Sequence, residues 1–222
     1  MNFLSHYYFD RLSEDACVVM GTVLPDLIKN AKQANLYPQK NEFLFTGNTE
    51  EESLLKGWKR HLNVDLYFHS SVFFLEKTTE LKILIKPIVE NTLVRPSFLA
   101  HIGLELLLDH LLIEHNLIQV NQFYEYLSEA KKASLSDFLA HAGLQDQTVF
   151  FRFLDDFISS KYLFSYQKMD NISYALNRIC MRLWPQSLDQ NQLDALTIQL
   201  EIFKKILQKD FFQIFEEIEH KL

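Results

Sequence analysis

The sequence has few cysteines and no long apolar run, features on which small secreted proteins and membrane proteins respectively depend. Only two of its 222 residues are cysteine, Cys17 and Cys180, and they lie far apart along the chain. We therefore expect neither a disulfide framework nor a zinc site built from thiolates. The sequence also lacks an uninterrupted apolar run of the roughly 18 residues that a membrane span requires, and its first residues do not resemble a secretion signal. These features predict a soluble cytoplasmic protein with no membrane partner.

Glycine, proline and positive charge are scarce as well. Five glycines and five prolines are too few for a collagen, a low-complexity chain or a turn-dense β-sandwich. The 22 Lys and Arg residues stand against 29 Asp and Glu residues, which gives a formal net charge of −7. A chain with this charge generates no overall field that would hold it on DNA, RNA or anionic lipid. We therefore expect no nucleic-acid partner.

Apolar residues recur at intervals of three and four along most of the sequence, whereas sustained alternation is hard to find. This pattern predicts an all-α protein, which we interpret as a single-domain bundle of about eight helices over residues 1–222. The predicted helices cover residues 2–12, 15–31, 50–84, 96–116, 120–140, 145–160, 170–183 and 188–220. Pro25 should either kink the second of these helices or begin a new short one.

Two segments of this pattern bear on function or assembly. Residues 30–49 are polar, lack helical periodicity and contain Pro38 and Gly47, so we expect a long loop that is a lid, a partner contact or a plain insertion. The C-terminal helix over 188–220, which Ser187 could cap, is amphipathic enough to cover the core or to form a homodimer face.

Histidines and carboxylates recur at helical spacing in the segment GWKRHLNVDLYFHS. His61, Asp65 and His69 are four residues apart, so a helix of about 3.6 residues per turn places them on one stripe. Adjacent members of this stripe could share a metal ion. The alternative interpretation is an exposed polar stripe that has no chemical role.

The segment LAHIGLELLLDHLLIEH repeats this spacing. His101, Glu105 and Asp109 are again four residues apart, and His110 lies about 100° around the helix from Asp109. Two helices that face each other along such stripes would bring imidazoles and carboxylates together in a bundle core, where metal sites are commonly built. Apolar residues surround Asp109 and His110, so at least one of the two should be buried, either in a metal or acid–base site or in a satisfied polar pair.

Several common catalytic motifs are missing. The sequence contains no Walker loop, no GxGxxG after a strand, no GxSxG and no HExxH. P-loop nucleotide binding, Rossmann cofactors, α/β-hydrolase chemistry and zincin chemistry therefore have no support. Neither cysteine has a neighbouring histidine that would make it a nucleophile, so both are expected in the core.

Five blocks, in one order along the chain, resemble the acyl carrier protein phosphodiesterases, helical relatives of the HD-type metal-dependent phosphohydrolases. The blocks are MNFLSH, MGTVLPDLIKN, GWKRHLNVDLYFH, DHLLIEH and YQKMDNISYALNRICMR. Together they reach from Met1 to about Trp184. The resemblance implies an HD-phosphohydrolase-like helical core. It also implies hydrolysis of the phosphodiester that joins 4′-phosphopantetheine to a serine of acyl carrier protein.

The resemblance further implies a divalent cation, Mn²⁺ or Mg²⁺, which mixed imidazole and carboxylate ligands suit. The implied metal ligands are His6, Asp26, His61, Asp65, Asp109 and His110. Asp26 is the implied essential ligand and His110 the implied general base or proton donor. Glu105 and His115 are expected to be structural or to support the ligands, and the role of His69 is left open.

The implied partner is acyl carrier protein, which is acidic, so a chain of net charge −7 needs a local positive patch to attract it. The basic residues that flank the proposed blocks are Lys29, Lys32, Lys56, Lys59 and Arg60. Ordinary solvated side chains are the alternative interpretation of these five residues.

The chain departs from the family pattern at four positions. Leu62 and Asn63 stand where the family has arginines, Lys59 replaces a histidine, and His69 stands where an aspartate is expected. Two alternative functions therefore remain at this point. One is a metal-dependent phosphohydrolase that acts on a nucleotide or another small phosphodiester, and the other is a non-catalytic helical interaction module.

Overall fold

The protein is described here from a computed structural model that covers residues 1–185 and 188–222. Those residues form α-helices and three short 3₁₀ helices, without a β-strand, so the predicted all-α class is confirmed. The α-helices are α1 (Phe3–Tyr8), α2 (Ala16–Asn30), α3 (Thr49–His69), α4 (Val72–Val89), α5 (Pro96–Glu114), α6 (Val120–Ala130), α7 (Ala133–His141), α8 (Thr148–Ser160), α9 (Met169–Cys180), α10 (Gln190–Leu207) and α11 (Phe212–Glu219).

Three of the predicted helices are each divided in two. The predicted helix 50–84 breaks after His69, where the Ser71 hydroxyl accepts a hydrogen bond from the Phe74 amide at 3.0 Å and caps α4. α4 then continues to Val89, five residues beyond the predicted end of the helix at residue 84, and includes Pro87. The predicted helix 120–140 is likewise interrupted, between α6 and α7.

The predicted C-terminal helix 188–220 is also two helices, α10 and α11. In the turn between them Phe211 is buried, and Asp210 pairs with Lys77 of α4 at 2.7 Å. The predicted cap Ser187 lies outside the described residues. Asp189 caps α10 instead, because its side chain accepts from the Gln192 amide while the Gln192 side chain accepts from the Asp189 amide.

Two sequence predictions, for Pro25 and for the loop over residues 30–49, can be compared with α2 and the segment that follows it. α2 runs through Pro25 without interruption, so the interpretation that Pro25 begins a new helix is wrong. The segment after α2 contains no α-helix before Thr49 but has two 3₁₀ turns, Pro38–Lys40 and Glu42–Phe45. Phe45 is buried against Phe138 of α7, with ring centroids 4.7 Å apart. This contact anchors the segment to the helices.

The chain forms two compact units. The first, here called unit 1, contains Met1–Asp65, Leu117–Leu163 and Leu222. Within it α2 packs against α1, α6 and α8. The second, unit 2, contains Leu66–Asn116 and Phe164–Lys221, and within it α4, α5, α9 and α10 pack against one another. That the whole chain acts as a single domain stays a prediction.

Two glycines allow α2 and α3 to approach closely in unit 1. A Cβ atom built on Gly21 would lie 2.2 Å from the Leu54 carbonyl oxygen, and one on Gly57 would lie 2.1 Å from the Val18 carbonyl oxygen. No side chain larger than hydrogen fits at either position without movement of the backbone. This crossing fixes the position of α3 against α2 and brings His61, one turn after Gly57, to Thr22, the residue after Gly21.

α5 is the central helix of unit 2. By length and composition it could cross a membrane, but most of it is buried inside the fold, which is typical of the core helix of a globular protein. Its buried residues include Asp109 and His110 as well as its leucines. α10 instead leaves apolar surface exposed at Ile198, Ile202 and Ile206. The homodimer predicted for this C-terminal region stays a prediction.

Candidate metal centre

Three of the predicted ligands meet in unit 1. His6 comes from α1, and His61 and Asp65 come from successive turns of α3. The Nε2 atom of His6 lies 3.2 Å from Asp65 Oδ1, and the Nε2 atom of His61 lies 3.6 Å from Asp65 Oδ2. The two imidazoles stack with centroids 3.8 Å apart and an angle of 16° between their planes. Two imidazole nitrogens and one carboxylate thus face one point. We call these three residues the unit 1 trio.

The backbone of α2 decides which nitrogen of His61 carries its proton. His61 Nδ1 lies 2.9 Å from the Thr22 carbonyl oxygen, and a carbonyl can only accept, so Nδ1 must donate. In the neutral ring Nε2 is therefore the nitrogen with the lone pair, and it is the one that faces Asp65. A lone pair and a carboxylate repel each other unless a proton or a metal ion lies between them. A hydrogen bond of this kind, from one ring nitrogen to a backbone carbonyl, is also a usual way in which proteins orient a histidine that binds metal through its other nitrogen.

His6 is fully buried and has unsatisfied nitrogens. Neither its Nδ1 nor its Nε2 has a hydrogen-bond partner of good geometry, although Nε2 is within ion-pair distance of Asp65. Burial and the adjacent His61 lower the pKa of His6 from its ordinary value of 6.5 to about 3. His6 is therefore neutral near pH 7, which is the form that binds metal ions. A neutral, buried ring nitrogen without a hydrogen bond fits the role of a metal ligand.

Asp65 supplies the negative charge of the trio. Burial opposes its ionisation, but His6, the amine of Met1 and His61 together hold the pKa of Asp65 far below its ordinary value. The Met1 amine lies 2.7 Å from Asp65 Oδ1. Asp65 is therefore ionised at neutral pH and already attracts one cationic group.

Asp26 lies on α2 in the same unit, and the register of α2 and α3 relates it to the trio. Three contacts join these helices in the same direction along the chain: Asp15 with Ser53, Val18 with Gly57, and Thr22 with His61. Asp26 lies one turn beyond Thr22 on α2, and Asp65 lies one turn beyond His61 on α3. The Asp26 side chain is half-buried there. Its role as a ligand stays a prediction.

A protein-family model described as acyl carrier protein phosphodiesterase matches residues 1–218. This match covers nearly the whole chain. The chain belongs to the acyl carrier protein phosphodiesterase family. Searches of curated proteins and of solved structures returned no match.

The acyl carrier protein phosphodiesterase resemblance also implicates Asp109 and His110, which belong to unit 2. Asp109 is fully buried on α5. His110 Nδ1 lies 2.7 Å from the Tyr166 carbonyl oxygen and must donate to it. The lone pair is therefore on Nε2, which is buried and has no hydrogen-bond partner. His110 can accept a proton or bind a metal through this atom. That Asp109 and His110 share an ion with the trio stays a prediction.

A second convergence of ligands in this family member lies within unit 2. His69 at the end of α3 meets His101 and Glu105 of α5. The i, i+4, i+8 stripe of α3 is therefore divided between two clusters, with His61 and Asp65 in the first and His69 in the second. His115, which the sequence places in a supporting role, contacts Phe211 at 5.3 Å between ring centroids.

The basic residues predicted to bind the partner fall into two groups. Lys29 and Lys32 are exposed at the end of α2. Lys59 and Arg60, with Lys56, line a surface cleft of about 370 Å³ in unit 1. Lys59 pairs with Glu42 at 2.8 Å, and Arg60 lies 3.4 Å from Asp10, so part of this positive charge is already compensated. Their role in binding a partner stays a prediction.

Sequence reasoning missed three groups that complete the surroundings of the trio: the Met1 amine, Thr22 and Asp10. Thr22 accepts from His61 through its carbonyl and donates through its hydroxyl to Asp10 Oδ2 at 2.6 Å. Burial raises the pKa of Asp10, whereas Thr22 and Arg60 favour its ionised form. No motif marks a backbone carbonyl as functional, and only the tertiary contact between α2 and α3 reveals it.

Proposed function

We propose that this chain hydrolyses the phosphodiester between 4′-phosphopantetheine and the serine of a holo acyl carrier protein, and that it requires a divalent cation. Water attacks phosphorus, the bond from phosphorus to the serine oxygen breaks, and the serine oxygen takes up a proton. The products are 4′-phosphopantetheine and the apo carrier protein. The family assignment supports the class of reaction, and the unit 1 trio is the single structural observation that carries the metal requirement.

The trio fits a divalent cation on three grounds. The His6 nitrogens are buried without hydrogen bonds, the lone pair of His61 faces a carboxylate, and Asp65 carries a negative charge. A divalent cation, which we propose to be Mn²⁺ or Mg²⁺, supplies Lewis-acid polarisation of the phosphodiester and lowers the pKa of water. The trio would hold the cation, and we propose Asp26 as the fourth side chain, because it lies one turn beyond Thr22 on α2 as Asp65 lies one turn beyond His61 on α3.

The residues around the trio contribute orientation and charge. The Thr22 carbonyl fixes the ring of His61, and the stacked ring of His6 holds it in place. Burial keeps His6 neutral, so no imidazolium at this position repels the cation. His110 is our proposed proton-transfer group, because its Nδ1 is fixed by Tyr166 while its Nε2, 3.9 Å from Glu114 Oε1, has no hydrogen-bond partner.

We propose that the carrier protein approaches through the basic residues of unit 1. The chain as a whole is negative, so only a local group of cations can attract an acidic partner. Lys56, Lys59 and Arg60 provide such a group along one cleft, which Asn63 also lines, and Lys29 and Lys32 are two further exposed cations at the end of α2. A cytoplasmic location is part of the same proposal, since holo acyl carrier protein is the substrate.

The test is the substitution Asp65→Asn, which keeps the shape of the side chain and removes its charge. We expect loss of Mn²⁺ binding by the purified protein and loss of phosphopantetheine release from holo carrier protein, with helix content unchanged. Asp155→Asn is the matched control, because Asp155 is an exposed aspartate of unit 1 that pairs with Lys131. Full turnover by Asp65→Asn would contradict the proposal.

A panel of substrates addresses the alternative that Leu62 and Asn63 suggest. Holo carrier protein, nucleotides and a small phosphodiester are assayed in parallel with Mn²⁺. Release from holo carrier protein supports the proposal, whereas turnover of a nucleotide alone would replace it with the alternative phosphohydrolase. Binding of holo carrier protein without turnover of any substrate would identify a non-catalytic interaction module.

A further inference from the structure

The convergence of ligands in unit 2 is tighter than that of the trio. His69 Nε2 lies 3.1 Å from His101 Nε2 and 3.3 Å from Glu105 Oε1. His101 Nε2 lies 3.0 Å from the same carboxylate oxygen. Three ligand atoms from two helices thus form a small, nearly equilateral triangle.

While Glu105 is ionised, protons alone cannot satisfy all three sides of this triangle. If both Nε2 atoms carry hydrogen and donate to Glu105, two N–H groups lie side by side with their nitrogens 3.1 Å apart. If only one carries hydrogen, the other ring presents its lone pair to the Glu105 carboxylate. At least one of the three contacts is therefore unfavourable. A cation at the centre makes all three contacts favourable at once.

The size of the triangle matches metal coordination. Metal–nitrogen and metal–oxygen bonds of about 2.0–2.2 Å place neighbouring ligand atoms about 2.8–3.1 Å apart in an octahedron and about 3.3–3.6 Å apart in a tetrahedron. The three observed separations, 3.0, 3.1 and 3.3 Å, fall within these two ranges. The ligand atoms are therefore spaced as they would be around one ion.

Neighbouring aromatic rings hold the imidazoles in this arrangement. Phe74 of α4 meets both rings edge-on, with centroids 5.0 Å from His69 and 4.9 Å from His101. Phe68 meets His69 at 5.1 Å. The side chains of His69 and His101 are 33% and 39% exposed, so ions can reach the site from solvent. The cluster is thus preorganised and accessible.

We propose that His69, His101 and Glu105 form a second metal site, which takes a transition-metal dication such as Zn²⁺ or Co²⁺. Two imidazoles with one carboxylate are a ligand set that Zn²⁺ and other transition-metal dications bind in proteins. With three protein ligands, the ion keeps at least one position open to water or to a further ligand. This site is independent of the ligand set implied by the family resemblance.

The test is a titration of metal-free full-length protein with Co²⁺, followed by visible absorption and by equilibrium dialysis. We expect two bound equivalents for the unaltered chain and one for His101→Asn or Glu105→Gln. Two substitutions are used because His101→Asn removes an imidazole ligand and Glu105→Gln removes the carboxylate. Circular dichroism is used to check that both variants fold. His220→Asn, a change at an exposed histidine, is the matched control and should keep two equivalents.

His61→Asn separates this proposal from the proposed function. If His61→Asn and His101→Asn each lose one equivalent, both sites bind metal. If only His101→Asn loses an equivalent, the second site stands and the metal requirement of the trio fails. If His101→Asn and Glu105→Gln both bind Co²⁺ as the unaltered chain does, the second site is refuted.

Discussion

The substitution Gly57→Ala tests whether the glycine crossing of α2 and α3 positions the metal centre. A Cβ atom at Gly57 would lie 2.1 Å from the Val18 carbonyl oxygen and 2.7 Å from the Thr22 amide nitrogen. Both atoms belong to the backbone, so no side-chain rotation relieves the overlap and the helices must separate. Alanine is favoured over glycine in a helix by about 1 kcal/mol, whereas overpacking of this kind costs about 3 kcal/mol or more.

We therefore expect Gly57→Ala to lower the free energy of unfolding by about 2 kcal/mol, which corresponds to a fall in Tm of about 4–8 °C for a chain of this length. Separation of the helices should also weaken the contact between His61 and Thr22 and reduce the affinity for Mn²⁺. Circular dichroism during heating measures the first effect, and a Mn²⁺ titration measures the second.

Gly103→Ala is the matched control for this experiment. It is the same substitution in α5, but the nearest atom to its Cβ is a Leu81 side-chain methyl carbon at 3.2 Å, which can move. Its effect on the free energy of unfolding should stay within about 1 kcal/mol of zero. If Gly57→Ala is as stable as Gly103→Ala, the close backbone contact does not constrain the helices and the reasoning is refuted.

Two further predictions concern charge. The pKa of His6 is about 3 in the folded chain and 6.5 in the unfolded chain, so below pH 6.5 the unfolded state binds a proton that the folded state does not. In urea denaturation of metal-free protein, the free energy of unfolding should therefore fall by about 1.4 kcal/mol per pH unit as the pH falls from 6.5 towards 4. The substitution His6→Asn should reduce this dependence on pH. Lys29→Glu should raise KM for holo carrier protein several-fold at low salt and leave kcat unchanged. Lys86→Glu, a change at an exposed lysine of unit 2, is the control and should alter neither value. Equal KM values for the two variants would contradict a role of Lys29 in binding the partner.

The helical class followed from the sequence because the spacing of apolar residues reports directly on helical periodicity. The breaks inside the long predicted helices could not be predicted from the sequence, because the apolar pattern continues across them. The break before α4 depends on one hydrogen bond between Ser71 and the Phe74 amide. The break before α11 depends on burial of Phe211 and on a pair between Asp210 and Lys77, which are distant in sequence.

The candidate site was predictable to the extent that it lies on one helix. His61 and Asp65 are four residues apart on α3, and this spacing alone places them together. His6 joins them through a contact between helices, which the family resemblance implied but the spacing did not. The cluster of His69, His101 and Glu105 depends on the register between α3 and α5, and a single sequence does not record that register.

Backbone carbonyl oxygens, rather than side chains, orient His61 and His110, the two histidines whose neutral rings carry their lone pair on Nε2. His61 donates to the carbonyl of Thr22, and His110 donates to the carbonyl of Tyr166. An alanine scan would therefore overlook both acceptors, because every residue type supplies the same carbonyl. Replacement of Thr22 removes its hydroxyl from Asp10 but leaves the imidazole anchored, so sequence drift at position 22 can alter the neighbouring acid while the orientation of His61 is preserved.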